Sequence, residues 1–179
     1  MDGKAYLGHV TRVFRDYKKL ADEALAQVDP ADVSRTLDPG SNSLAVIVKH
    51  VAGNLRSRWR DFLTSDGEKP DRDRDSEFEE RTGDTWEALR GRWEEAWGIV
   101  LTALGSLRPE DLERMVTLRG EPHPVPLAIE RSLTHTASHV GQIVFLAKHL
   151  AAARWKSLSI ARGQSAQFNE AMRKKHPRP

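Results

Sequence analysis

Apolar residues recur three or four apart in four separate stretches of this 179-residue chain, and that period belongs to amphipathic helices, not to strands. In the first stretch, residues 4 to 28, Tyr6, Leu7, Val10, Val13, Phe14, Tyr17, Leu20, Ala21, Ala24 and Val28 carry the repeat. Ser43 is a good N-cap for a second helix, which is expected to run to about Leu63 and to bury Leu44, Ile47, Val48, Val51, Leu55, Trp59 and Phe62. Asp84 and Glu87 are spaced as a capping box for a third, with Trp86, Leu89, Trp93, Trp97, Val100, Leu101 and Leu104 on one face and an end near Gly105. Pro126 suits the first turn of a fourth, which continues to about Ala153.

The segments between these helices are rich in breakers. Asp29 to Asn42 contains Asp38-Pro39-Gly40, and residues 64 to 83 are polar, charged and nearly free of apolar groups, the pattern of a long surface connection. Between Pro109 and Pro126, β-branched residues flank Arg119-Gly120, which suggests a short hairpin or irregular arm. After the loop KSLSIARG, a short terminal helix spans Ser165 to about Lys175. The expected architecture is therefore all-α: a four-helix bundle with a long crossover between helices two and three, a short β-hairpin or arm before helix four, and a short C-terminal helix. No repeat divides the chain, and residues 1 to 179 read as a single domain.

Composition then removes whole classes of function. There is no cysteine, hence no disulfide, cysteine nucleophile or thiolate ligand, and any nucleophilic sulfur must be borrowed. The 28 basic residues are interspersed with 26 acidic ones, without the clustered basic face that phosphate-backbone binding requires, so nucleic acid is not an expected partner. No apolar run approaches the roughly 18 to 20 residues of a membrane span, and the start, MDGKAYLGHV, lacks the apolar core of a signal peptide, which points to the cytoplasm.

One stripe of helix four is polar where a core face is expected. Residues four apart on a helix lie about 40° apart and about 6 Å along its axis, which is the relation of His135 to His139. Arg131, Ser138, Gln142 and His149 fall within about 60° of His135 on the same wheel, with Ile143, Leu150, Ala147 and Val140 on one flank and Leu127 and Phe145 on the other. A polar stripe hemmed in by apolar residues points into a cavity, although such a pair is also met as exposed histidines or as hydrogen-bonded core histidines. His50, at the edge of the apolar arc of helix two with Asn54 one turn further on, is the natural third ligand. Three neutral imidazoles suit zinc, nickel or ferrous iron better than calcium or magnesium, and leave a coordination position open for water or substrate. The other histidines have weaker claims: His9 as a surface or boundary residue, His123 as a loop residue, His149 as too far along the axis, and His176 as part of the tail. The five tryptophans read as packing, and the DRDRD run at 71 to 75 as a solvated, self-paired loop.

The segments KHVAGNLRSRWRDFLTSDGEKPDRDRDSEF, LTHTASHVGQIVFLAKH and WKSLSIARGQSAQFN resemble stretches of the DinB-like superfamily of metal-binding four-helix bundles, in a bacterial branch with no assigned activity. The superfamily's triad, one His from the second helix and an H-x-x-x-H pair from the last, carries over onto His50, His135 and His139. The resemblance also implies homodimers, a divalent ion such as zinc or nickel, and activities that include bacillithiol- or mycothiol-dependent transfer. On that reading the chain is a metal-dependent S-transferase acting on electrophilic small molecules, because a thiol at the open position of the metal would become a thiolate at neutral pH. Arg131 and Arg58 would then hold carboxylates of the thiol cofactor, and Asn54 and Gln142 would orient water or a ligand imidazole. The competing readings are a metal-dependent hydrolase, for which no acidic residue stands out as a base, and a non-catalytic regulatory module that binds a metal or small molecule.

Overall fold

The computed structural model describes residues 2–79, 81 and 83–176. Helix α1 (Gly3–Leu25) opens on Asp2, whose carboxylate accepts from Ala5 N, and buries Leu7, Val10, Phe14, Ala21 and Ala24 along one face. Helix α2 (Leu44–Trp59) opens on Ser43, whose hydroxyl accepts from Val46 N. Helices α3 (Trp86–Ser106) and α4 (Val125–Ala151) complete the bundle. Helix α1 packs against α3 and α4, and α2 also packs against both. Thirteen of the 16 residues of α2 are buried, so it is enclosed on nearly every side rather than amphipathic.

The core centres on aromatic rings. Phe14 meets Trp59 edge-on at 5.4 Å and Trp97 at 6.3 Å, and Trp93 meets Trp97 at 5.6 Å. Edge-to-face pairs of this kind add to the area they bury because ring edges carry positive charge and faces negative. Two indoles also find acceptors: Trp59 Nε1 donates to Ser132 Oγ at 2.8 Å and Trp93 Nε1 to Asp22 Oδ1 at 2.8 Å. The packing role expected of the tryptophans holds for Trp59, Trp93 and Trp97, which are fully buried, while Trp86 and Trp155 pack at its margin.

The arm before α4 is a hairpin. Strands β1 (Met115–Leu118) and β2 (Glu121–Pro124) pair antiparallel with Leu118 opposite Glu121, leaving Arg119-Gly120 as a two-residue turn. Both turn residues have positive φ (56° and 76°), the condition for a turn whose twist matches the strands. His123, expected in a loop, lies on β2 with its side chain buried. The C-terminal helix α5 (Ser165–Lys175) forms as expected and is exposed throughout.

Three boundaries differ from expectation. Helix α1 stops at Leu25, although Val28 remains in the core. Helix α2 ends at Trp59 instead of Leu63, because the chain turns away at Arg60 and takes positive φ at Asp61. The N-cap of α3 is Thr85, whose hydroxyl accepts from Ala88 N; Asp84 is instead drawn into ion pairs with Lys49 and Arg92.

The crossover between α2 and α3 is exposed over much of its length, as expected, but it is anchored to the bundle at a few buried points. Gly67, Lys69 and Glu77 within it are buried, and it lies against α2 and the hairpin. Gly67 N donates to Thr117 O at 2.8 Å, and the Asp66 carboxylate accepts from Arg119 N at 2.8 Å and Gly120 N at 2.7 Å. Arg72 and Glu77 can leave water because they satisfy one another, while the Arg58–Glu68 pair is partly buried and the Arg60–Asp71 pair stays exposed. The 71 to 75 run is thus paired mainly with residues outside itself.

Candidate metal centre

Helix α2 supplies His50 and α4 supplies His135 and His139, and the packing of α2 on α4 brings the three rings together. Ring centroids lie 5.2 Å apart for His50 and His135, 4.9 Å for His50 and His139, and 4.5 Å for His135 and His139. One ligand atom from each ring falls within 4.8 Å of the other two, so this group can hold a metal ion.

The finer geometry fits a shared cation. His50 Nε2 and His135 Nε2 are 3.2 Å apart. Two nitrogens each about 2.0 to 2.1 Å from one tetrahedral ion are separated by about 3.3 Å. The outer nitrogens of two rings are already engaged. His50 Nδ1 lies 2.8 Å from Glu77 Oε2, and since a carboxylate only accepts, the ring donates there, so that in the neutral ring Nε2 is the nitrogen left for a metal. His139 Nδ1 lies 2.8 Å from Gln142 Oε1 and donates to it, with the same effect on its own Nε2. Of the two residues expected to orient water or a ligand imidazole, Gln142 meets the His139 ring and Asn54 lines the adjoining cavity. His135 Nδ1 is buried and has no hydrogen-bond partner among the described residues.

Burial, and next the neighbouring His139 and His50, push the His135 pKa from 6.5 down to about 4. His139 is lowered as well, first by burial, with His50 adding to the effect and Gln142 opposing it. Neutral imidazoles are the ligating form. Glu77 goes the other way from a simple buried acid: burial raises its pKa, but hydrogen bonds from His50 and Arg72 outweigh that and hold it below the carboxylate value.

A pH prediction follows for the metal-free protein. Between pH 6.5 and about 4 the unfolded chain protonates the His135 ring while the folded chain does not. The unfolded state therefore binds more protons, and stability falls as pH drops through that window. Urea unfolding midpoints of metal-free protein at pH 7, 5.5 and 4.5 are expected to decrease in that order, with a shallower trend in His135→Ala. Equal slopes for the two proteins would remove the ring from the account.

A cavity of about 120 Å³ reaches His135 from the hairpin side. Its walls include Trp59, Phe62, Val116, Leu118 and Ala128, with Asn54, Arg58 and Arg131 supplying polarity. The two arginines differ. Arg58, expected to hold a cofactor carboxylate, lines the cavity half-buried with its guanidinium bonded to Gly67 O and Glu68. Arg131 is exposed at the cavity rim. The apolar flank of the stripe formed by Leu127 and Phe145 is also exposed, so the centre sits at an edge of the bundle and not at its sealed middle. His149 and His9 are exposed as well, away from the cluster.

Sequence reasoning missed Glu77. It lies in a stretch whose charge density signals solvent, and the available signal was indirect: Gly53 in mid-helix, three residues past His50 on α2.

Fold and site together define a helical bundle with a three-histidine group between its second and fourth helices. Residues 2–164 match the family described as protein of unknown function (DUF1572), and the chain belongs to that family. The match spans the four bundle helices and the whole histidine group and stops short of α5. No curated protein and no solved structure matches the chain significantly. Among the described residues no helix is long and apolar enough to cross a membrane.

Proposed function

We propose that this protein, as a member of the DinB-like superfamily, binds one divalent metal ion through His50, His135 and His139 and transfers a low-molecular-weight thiol to electrophilic small molecules. The observation that carries the reading is the pair of ring nitrogens 3.2 Å apart, beside a cavity lined by His135. Zinc, nickel or ferrous iron fits this all-nitrogen donor set. Bound there, the ion supplies Lewis acidity that lowers the pKa of a thiol sulfur.

The chain's own residues do the rest. Gln142 and Glu77 hold the outer nitrogens of two imidazoles and so aim their inner ones. Arg131, at the rim, pairs with a carboxylate of the thiol, while Asn54 offers a neutral hydrogen bond deeper in. Trp59, Phe62, Val116 and Leu118 form a dry wall for the apolar part of the electrophile. In the transfer, sulfur forms a bond to the electrophilic carbon, the thiol proton passes to solvent, and the leaving group departs with its electron pair. Hydrolysis is the weaker reading because Glu77, the acid that hydrogen-bonds a histidine of the group among the described residues, has its oxygens occupied by His50 and Arg72 and is not free to act as a base.

The test is consumption of bacillithiol, mycothiol or glutathione by zinc- or nickel-loaded protein in the presence of a model electrophile. Turnover with one of the three is expected, with a higher KM for that thiol in Arg131→Ala. Failure to consume any of them would sink the transferase reading.

A further inference from the structure

The floor of the metal centre is built from residues that touch neither the cavity nor the ion position. A single turn of 3-10 helix, Asp75–Phe78, carries two consecutive side chains to His50. Glu77 Oε2 accepts from His50 Nδ1 at 2.8 Å, and the Phe78 ring lies 4.8 Å from the His50 ring at an interplanar angle of 36°. Arg72 then grips the same carboxylate with two bonds, Nε to Oε1 at 2.8 Å and a terminal nitrogen to Oε2 at 2.9 Å. The side chains of Arg72 and Glu77 are only 4% and 7% exposed, so this is a desolvated, bidentate pair and not a surface ion pair.

Room for the carboxylate comes from α2 itself. A Cβ placed on Gly53 would stand 2.2 Å from Glu77 Oε1 and 2.8 Å from its Cδ, distances no real side chain tolerates. Glycine in a helix interior costs about 1 kcal/mol relative to alanine. That cost has a local return here, because only a residue without a side chain lets Glu77 reach across α2 to the ring one turn earlier.

We propose that Glu77, seated by Gly53 and Arg72, is the positioning residue of the metal centre: it holds His50 in the tautomer with the proton on Nδ1, so that Nε2 always faces His135 and His139. The inference rests on the metal-binding reading for its consequence, but the tautomer itself is a property of the metal-free chain. A carboxylate hydrogen-bonded to the outer nitrogen of a ligand imidazole fixes ring orientation and raises the basicity of the inner nitrogen, and losing such a partner typically lowers metal affinity 10- to 100-fold.

Two measurements test it. Nitrogen-15 NMR of metal-free wild-type protein should show His50 protonated at Nδ1 and bare at Nε2; the opposite tautomer overturns the proposal whether or not any metal binds. Zinc affinity, read by competition with a chromophoric chelator, should fall about 10- to 100-fold in Glu77→Ala and in Gly53→Ala, and less in Glu77→Gln, which keeps an acceptor for His50. The double variant should bind no more weakly than Glu77→Ala alone, since Gly53 acts only through the carboxylate. A purely structural role would lower stability without this non-additivity or any change of tautomer. Folded Glu77→Ala with zinc affinity within twofold of wild type overturns this proposal alone, whereas wild-type protein that binds no zinc removes the metal reading along with it.

Discussion

Replacing His135 with alanine is expected to cost at least about 100-fold in zinc affinity while leaving the fold intact. The ring contributes one of three nitrogens, and outer partners alone already account for 10- to 100-fold effects at such centres, so an inner ligand must cost at least the upper end of that range. The fold should survive because the ring is only half-buried and its Nδ1 has no partner to lose among the described residues. Binding to the folded state alone also stabilises it, by about 2.7 kcal/mol at a free zinc concentration 100 times Kd. At roughly 2 to 4 °C per kcal/mol for a chain of this size, wild-type protein should melt about 5 to 11 °C higher with zinc than without. His135→Ala should show no such rise at the same zinc concentration. An equal rise in both proteins would mean that zinc binds elsewhere on the chain.

The second large effect is expected at Trp59, on stability and not on metal. Its side chain is 1% exposed, meets Phe14 edge-on, stacks on Phe62 at 4.7 Å, and donates from Nε1 to Ser132. Trp59→Ala removes all four features and leaves a cavity that the surrounding helices cannot close, a change that costs about 3 to 5 kcal/mol. Against a total stability of about 5 to 15 kcal/mol, that is a large fraction. The melting temperature should fall by roughly 6 to 20 °C, while zinc affinity in the still-folded fraction should stay near that of wild type, because Trp59 borders the cavity but is not one of the three ligating residues. A loss below about 1 kcal/mol would show that the aromatic cluster is not the centre of the core. Together the two variants separate the bundle from the site: one empties the centre and keeps the fold, the other weakens the fold and spares the centre.

Much of the candidate centre is written in local spacing. His135, His139 and Gln142 sit on one helix at offsets of four and three, so the hydrogen bond from His139 to Gln142 follows from helical geometry alone. Ser43 as a cap, the Arg119-Gly120 turn and the terminal helix were legible for the same reason, since each depends on only a few consecutive residues. Arg58 shows where such reasoning stops. Its helical position predicts a place near the cavity, which it has, but not the fate of its guanidinium, which is set by Gly67 and Glu68 in a loop folded back from nearly three turns away in sequence.

Helix periodicity by itself determined that this chain forms a bundle and which stripe of α4 is polar, because the side chains concerned share one rigid element whose geometry is known in advance. Only the tertiary structure decided that an otherwise exposed, charged crossover would bury Glu77 against Gly53 and hold His50 from behind. That outcome depends on pairing: a carboxylate and a guanidinium can be buried together but not singly, and whether they meet is decided by the path of the chain, which no local pattern encodes.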